Sequence, residues 1–284
     1  MTLRLLPPLI VVLIAFAANS VLNRMALAET ATGPASFAAL RLASGALVLG
    51  LLVALRAGAR PDRSDLRASI GPALALLTYM LFFSFAYLSL DAGIGALILF
   101  GGVQVTMFAG ALLAGEAMPP RRWLGAILAF GGLAYLLWPE GAHAPALLGS
   151  VMMLAAAAGW GVYSLQGRSR SDPLLSTALA FALALPASVA LWAVLRDGMD
   201  GHGALLAVLS GGVTSALGYA LWYRLLPSMA ASTAGVAQLT VPVIALLGGM
   251  LFLAEPITLR FVIAAVLVLG GVGWALLPPR VPAR

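Results

Sequence analysis

The chain contains no cysteine and no lysine, and only two of its 284 residues are histidine. Without cysteine, disulfides and thiolate metal centres are excluded. His143 and His202 both fall between apolar runs, so no nucleophile–base pair or metal-ligand set is expected at depth. No cofactor and no metal are therefore expected, and an intramembrane enzyme is disfavoured. Charge is scarce too: 9% of residues are charged, against about 25% in soluble domains. Apolar residues make up 62% and the mean hydropathy is +1.03. That composition excludes a soluble protein and leaves no room for a separate soluble domain. A net charge of +6 and a pI near 10.5 would suit nucleic acid, but the arginines stand at the ends of apolar runs rather than in one patch. They read as topology anchors, and no nucleic-acid partner is expected.

What is present is a succession of apolar spans. They run over 5–25, 34–55, 68–90, 93–114, 123–138, 146–166, 174–195, 204–226, 231–254 and 259–277. At roughly 20 residues per spanning helix, the chain predicts ten crossings. Ala26-Leu27-Ala28 resembles a signal-peptidase site, but the run before it exceeds the ~7–15 residues of a signal core, so the first span is read as a helix that stays. With the N-terminus inside, the inner segments hold Arg4, Arg56, Arg60, Arg63, Arg67, Arg121, Arg122, Arg168, Arg170, Arg224, Arg280 and Arg284. The outer segments hold only Arg24, Arg196 and Arg260. The positive-inside rule then predicts both termini in the cytoplasm of a bacterial cell, the chain being multi-pass in the inner membrane.

An internal repeat sets the architecture. At a constant offset of 139, Pro34 falls on Pro173, Ala92 on Ala231, Gly110 on Gly249, Glu116 on Glu255 and Arg121 on Arg260. Gly131-Gly132 likewise falls on Gly270-Gly271, and Pro139 on Pro278. Five spans per copy force the second copy to enter the membrane upside down. The expected fold is all-α, ten transmembrane helices forming two inverted five-helix repeats (1–140 and 145–284) around a central cavity. That is the plan of secondary transporters, with the substrate near the midplane.

The spans carry further marks: Gly115-Glu116 and Ala254-Glu255 closing spans four and nine, Trp160-Gly161-Val162-Tyr163 in span six, Ala220-Leu221-Trp222-Tyr223 in span eight, and Pro242 in span nine. In this order and duplication the chain resembles EamA-type carriers of the drug/metabolite transporter superfamily, over nearly its whole length. Its aromatic interior is most similar to the bacterial exporter branch for aromatic and other neutral amino acids. Phe16 stands where that family often has Trp, and Gly102-Val103-Gln104 stands where span nine keeps its proline. The resemblance implies export of small neutral metabolites by alternating access, by a monomer or weak homo-oligomer. Export of cationic drugs or of nucleotide sugars is the alternative. The first lacks a central carboxylate, and the second would need basic cavity residues of which only Arg41 is a candidate.

Burying a charge in lipid costs several kcal/mol, so ionisable residues in spans mark function by default. No Asp, Glu or His lies mid-span, which points to a facilitative or weakly ion-coupled carrier. Arg41, a third of the way into span two, is expected to snorkel to the interface or to pair with a carboxylate such as Glu29. Glu116 and Glu255 read either as gating acids or as helix-end caps, and their duplication favours caps. For the substrate cavity the sequence nominates Asn19 and Gln238 as mid-span amides. It adds aromatic and polar faces at helical spacing: Tyr79 and Phe83, Phe100 and Gln104, Trp160 and Tyr163, Tyr219, Trp222 and Tyr223. For each of these, packing between helices is the competing reading. Gly101, Gly102 and Pro242 are nominated as hinges, because proline removes a helix hydrogen bond and kinks the segment.

Overall fold

The computed structural model describes residues 5–56, 61–115, 119–138, 145–167, 171–225, 228 and 237–276, and is all-helical over them. Glu116 lies outside the described residues. In chain order the helices are α1 (Leu6–Glu29), α2 (Pro34–Ala54), α3 (Arg63–Ala86), α4 (Ala92–Leu113) and α5 (Pro120–Leu137). There follow α6 (Leu147–Gly167), α7 (Pro173–Leu195), α8 (Gly201–Leu225), α9 (Val241–Leu253) and α10 (Leu259–Leu276). Helices α1–α4 and α6–α8 are each long and apolar enough to cross a membrane. Over the described residues α5, α9 and α10 do not reach that mark. The first opens with Arg121 and Arg122, and the 13 residues of α9 span only about 20 Å of a core roughly 30 Å thick.

The local sequence explains the helix starts. Proline stands in the first turn of α1, α2, α5, α7 and α9, where its missing N–H costs nothing. Asp62 and Asp65 form a capping box on α3, and Asp172 accepts from Leu175 N at 3.2 Å to cap α7. Exposed leucines, isoleucines and valines such as Ile10, Val11, Leu47, Leu51 and Leu74 cover the outer surface. In water that would be a large aggregation-prone face; against lipid tails it is the expected exterior.

The two halves of the chain interleave around one core. Helix α1 packs on α8 and α9, and α6 packs on α3 and α4; α2 packs on α7 and α8, and α3 on α7. Helices α5 and α10 pair along a glycine seam. A Cβ placed on Gly132 would lie 3.1 Å from Val268 N, and one on Gly271 would lie 2.9 Å from Ala129 N. Gly132 and Gly271 are related by the sequence offset of 139, and so are Ala129 and Val268. Small residues let the two backbones touch, which is how helices associate in a solvent that offers no hydrophobic drive.

One end of the bundle, called the upper end below, is tied by polar contacts. The Asp197 carboxylate, in the loop after α7, accepts from Ala35 N (2.7 Å) and Ser36 N (2.9 Å), two of the amides that α2 leaves unsatisfied at its start. Gly33 N donates to Gly198 O (2.8 Å). Asp200 accepts from Gly203 N (2.6 Å) and Ala31 N (2.9 Å), and these two amides hold its carboxyl below the usual range. Beside them, Ala92 N at the start of α4 donates to both oxygens of Glu255 (2.8 and 2.9 Å) in the loop after α9. Arg24 completes this group, 3.6 Å from Asp91 and 3.7 Å from Glu255. Burial pushes the Glu255 carboxyl above its ordinary range, the Ala92 N–H pulls it back, and Asp91 adds to the rise. At the opposite end Arg56 pairs with Asp172 at 2.8 Å.

Candidate functional site

Midway along the bundle, α1, α3, α4, α6 and α8 turn aromatic side chains toward one another. Phe16, Asn19, Tyr79, Phe83, Leu99, Phe100, Trp160 and Tyr219 line a small cavity. Its free space is about 10 Å³, room for about one water. The wall is a continuous ring network. Trp160 lies 5.0 Å from Tyr79 and 5.1 Å from Tyr219, Tyr79 lies 5.2 Å from Phe83, and Phe16 meets Tyr219 edge-on at 5.8 Å. Such pairs contribute about 0.5–1.5 kcal/mol each beyond area burial. The spacing of four between Tyr79 and Phe83 places both on the inner face of α3, as helical geometry requires.

Six of the residues nominated from sequence therefore meet here: Asn19, Tyr79, Phe83, Phe100, Trp160 and Tyr219. Trp222 is buried one ring further out, 5.7 Å from Phe16. Tyr163 and Tyr223 lie toward the lower end, lining a second small pocket with Pro72, Pro173 and Thr177. Trp160 joins the two pockets, 5.4 Å from Tyr163, whose hydroxyl donates to Thr177 Oγ1 at 3.0 Å. Gln104 and Gln238 are half-buried and lie outside both linings. Gly101 and Gly102 sit inside an unbroken α4. A Cβ there would meet Leu133 and Val268, or Ala157, at 2.8–3.0 Å, so close packing explains both glycines. Pro242 lies in the first turn of α9, just after a turn at Leu239-Thr240.

The polar side of the site comes from α8. Its middle, Leu209–Leu217, is a π-helix, a wider turn that recurs at functional positions. Ser210, Thr214 and Ser215 converge from it on Asn19: their hydroxyl oxygens lie 2.8, 2.7 and 3.2 Å from Asn19 Oδ1. None of the three was nominated from sequence. The available signal was the run Ser210-Gly211-Gly212 followed by Thr214-Ser215 inside an otherwise apolar span.

Arg41 corrects the sequence reading. It neither snorkels nor pairs with Glu29, which is exposed; its own side chain is 0% exposed. The reason is backbone proximity: Gly211 packs so tightly on α2 that a Cβ there would overlap Arg41 O and Ser44 Oγ. Held inside, the guanidinium donates from Nη2 to Tyr79 Oη (3.2 Å) and from Nη2 and Nε to Ser215 Oγ (3.2 and 3.4 Å). Its carbon lies over the rings of Phe83 (5.0 Å) and Tyr79 (5.5 Å). Cation–π contacts in a dry site contribute about 2 kcal/mol, which offsets part of the cost of burying the charge.

A model of the EamA-like transporter family matches residues 147–277. An uncharacterised protein of Pseudomonas aeruginosa is 46% identical over 272 residues, 95% of this chain and 93% of that protein. A protein of Archaeoglobus fulgidus described as an uncharacterised transporter is 26% identical over 248 residues, 84% and 87% of the two chains. A crystal structure of a protein aligns with a TM-score of 0.64 at 23% identity, covering 93% of this chain and 97% of that one.

Proposed function

The chain belongs to the EamA-like transporter family and is a multi-pass membrane transporter, and on that premise we propose that it exports small neutral metabolites, foremost aromatic and other neutral amino acids. The observation that carries the substrate reading is the small aromatic cavity around Trp160, Tyr79, Phe83 and Tyr219, with the Asn19 hydroxyl cluster at its edge. Rings enclose an apolar or aromatic side chain, and the polar edge orients the backbone groups of the substrate. Alternating access between two inverted repeats, 1–140 and 145–284, is supported by the paired packing. What α1 does with α8 and α9, α6 does with α3 and α4. Both termini face the cytoplasm of the inner membrane in this reading, on the strength of the arginine distribution. The transport step is facilitative or weakly ion-coupled, since no carboxylate occurs mid-span.

The test is uptake of radiolabelled phenylalanine, tryptophan and alanine into proteoliposomes of the pure protein, with and without a pH gradient. Saturable uptake, competed by other neutral amino acids and indifferent to the gradient, is the expected result. A folded sample that moves none of them removes the amino-acid reading and leaves the transporter family standing.

A further inference from the structure

Arg41 is over-supplied with charge for a purely structural residue. Arg24 and Arg56 each face a carboxylate, whereas among the described residues no carboxylate pairs with Arg41. Its Nε and Nη2 are used on Ser215 and Tyr79, but Nη1 is buried without a hydrogen-bond partner among the described residues. Helix glue in an apolar interior would be satisfied at every N–H, because an unmet buried donor costs stability and returns nothing. The guanidinium also stands directly behind the cavity wall. Tyr79 and Phe83, whose rings it covers, both line the cavity, and Ser215 links it to Asn19, which does too.

We propose that Arg41 is the anion-recognising residue of the central cavity, and that the substrates are small organic carboxylates with an aromatic or apolar body. This rests on the transporter reading above and narrows it: the carboxylate is the obligatory group, and the α-ammonium is dispensable. The two free N–H groups of Nη1 and the Tyr79 hydroxyl are the donors a carboxylate takes, and its charge neutralises the uncompensated guanidinium. The rings of Phe16, Trp160 and Tyr219 then take the body. A carboxylate reaches Nη1 once the wall of Tyr79 and Phe83 rotates apart, since the space inside is now only that of a water.

The test uses purified full-length protein and three probes that differ by one group: L-phenylalanine, 3-phenylpropanoate (no amine) and 2-phenylethylamine (no carboxylate). Binding is read by tryptophan fluorescence and thermal shift, with a chloride titration alongside. Phenylalanine and 3-phenylpropanoate should bind and the amine should not. Arg41→Gln should weaken both carboxylates at least tenfold, and Arg41→Lys should weaken them less. Tyr79→Phe, which keeps the ring, gives a second reading if Arg41→Gln fails to fold, and should also weaken carboxylates over the amine. Equal binding of the amine overturns the proposal. So does unchanged carboxylate affinity in Arg41→Gln, the same response to chloride alone, or no response to any probe. If 3-phenylpropanoate binds in an Arg41-dependent way while no amino acid is transported, the amino-acid reading falls and this one stands. If Arg41→Gln transports phenylalanine like the wild type, the reverse holds.

Discussion

Removing the Asp197 carboxylate tests whether the upper end is held by the contacts described. Asp197→Ala leaves Ala35 N and Ser36 N, bonded at 2.7 and 2.9 Å, without their acceptor. A hydrogen bond to a charged group contributes about 1.5–3 kcal/mol, but Asp197 is only half-buried and water replaces part of each bond. Loss of a helix cap costs up to about 2 kcal/mol. The expected cost of opening this end is therefore about 2 kcal/mol for Ala and about 1 kcal/mol for Asn, which keeps one acceptor. At about 1.4 kcal/mol per factor of ten, the Ala variant should exchange the Ala35 and Ser36 amides roughly thirty-fold faster. Hydrogen exchange read by mass spectrometry over residues 33–37 measures this. A second route to the same state is Gly33→Ala, because a Cβ on Gly33 would overlap the Asp197 side chain. The chain has no native cysteine, so a single reporter at Leu99→Cys, on the cavity wall, records whether faster exchange comes with maleimide access. Unchanged exchange in both variants would refute the reasoning.

Three further outcomes are expected. Glu255 has its carboxyl raised, chiefly by burial, so the folded state holds that proton more tightly than the unfolded chain does; stability should rise as pH falls through the raised value and decline as pH increases. Thermal midpoints against pH should show that slope in the wild type and lose it in Glu255→Gln. Gly271→Leu drives a side chain into Gly125 O and Ala129 N, and should cost at least about 2 kcal/mol, seen as a lower melting temperature or loss of the monodisperse peak. Ala254 ends α9 at φ 51°, a left-handed conformation that suits glycine, so Ala254→Gly should stabilise the fold by up to about 1 kcal/mol in thermal unfolding.

The apolar spans were legible because hydropathy is a sum over many residues. The aromatic face of α3 was legible because Tyr79 and Phe83 keep helical spacing. The polar half of the site was not. Ser210 and Thr214 keep the spacing of four that an ordinary helix puts on one face, but at a 3.6-residue period Ser215 falls about 100° from Thr214, and it joins them where α8 widens into a π-helix. Arg41 was misread because its burial depends on Gly211, some 170 residues away, and distance in sequence hides that contact. Gln238 was chosen for its mid-span depth and Gln104 for its spacing of four from Phe100, and neither depth nor spacing specifies which way a side chain turns. Phe16 was noted only as a departure from a family tryptophan, yet it lines the cavity.

The interleaving of the halves bears on how the chain is made. Asn19 meets its hydroxyl partners at separations of 191, 195 and 196 residues, and Arg41 meets Ser215 at 174. A ribosome that has delivered α1 through α5 to the membrane has therefore inserted an amide and a guanidinium whose partners are not yet synthesised. Tyr79 on α3 is the early partner that Arg41 does have. The second half of the chain then serves the first as an intramolecular chaperone, and translation through α8 is the point at which the nascent helices can settle.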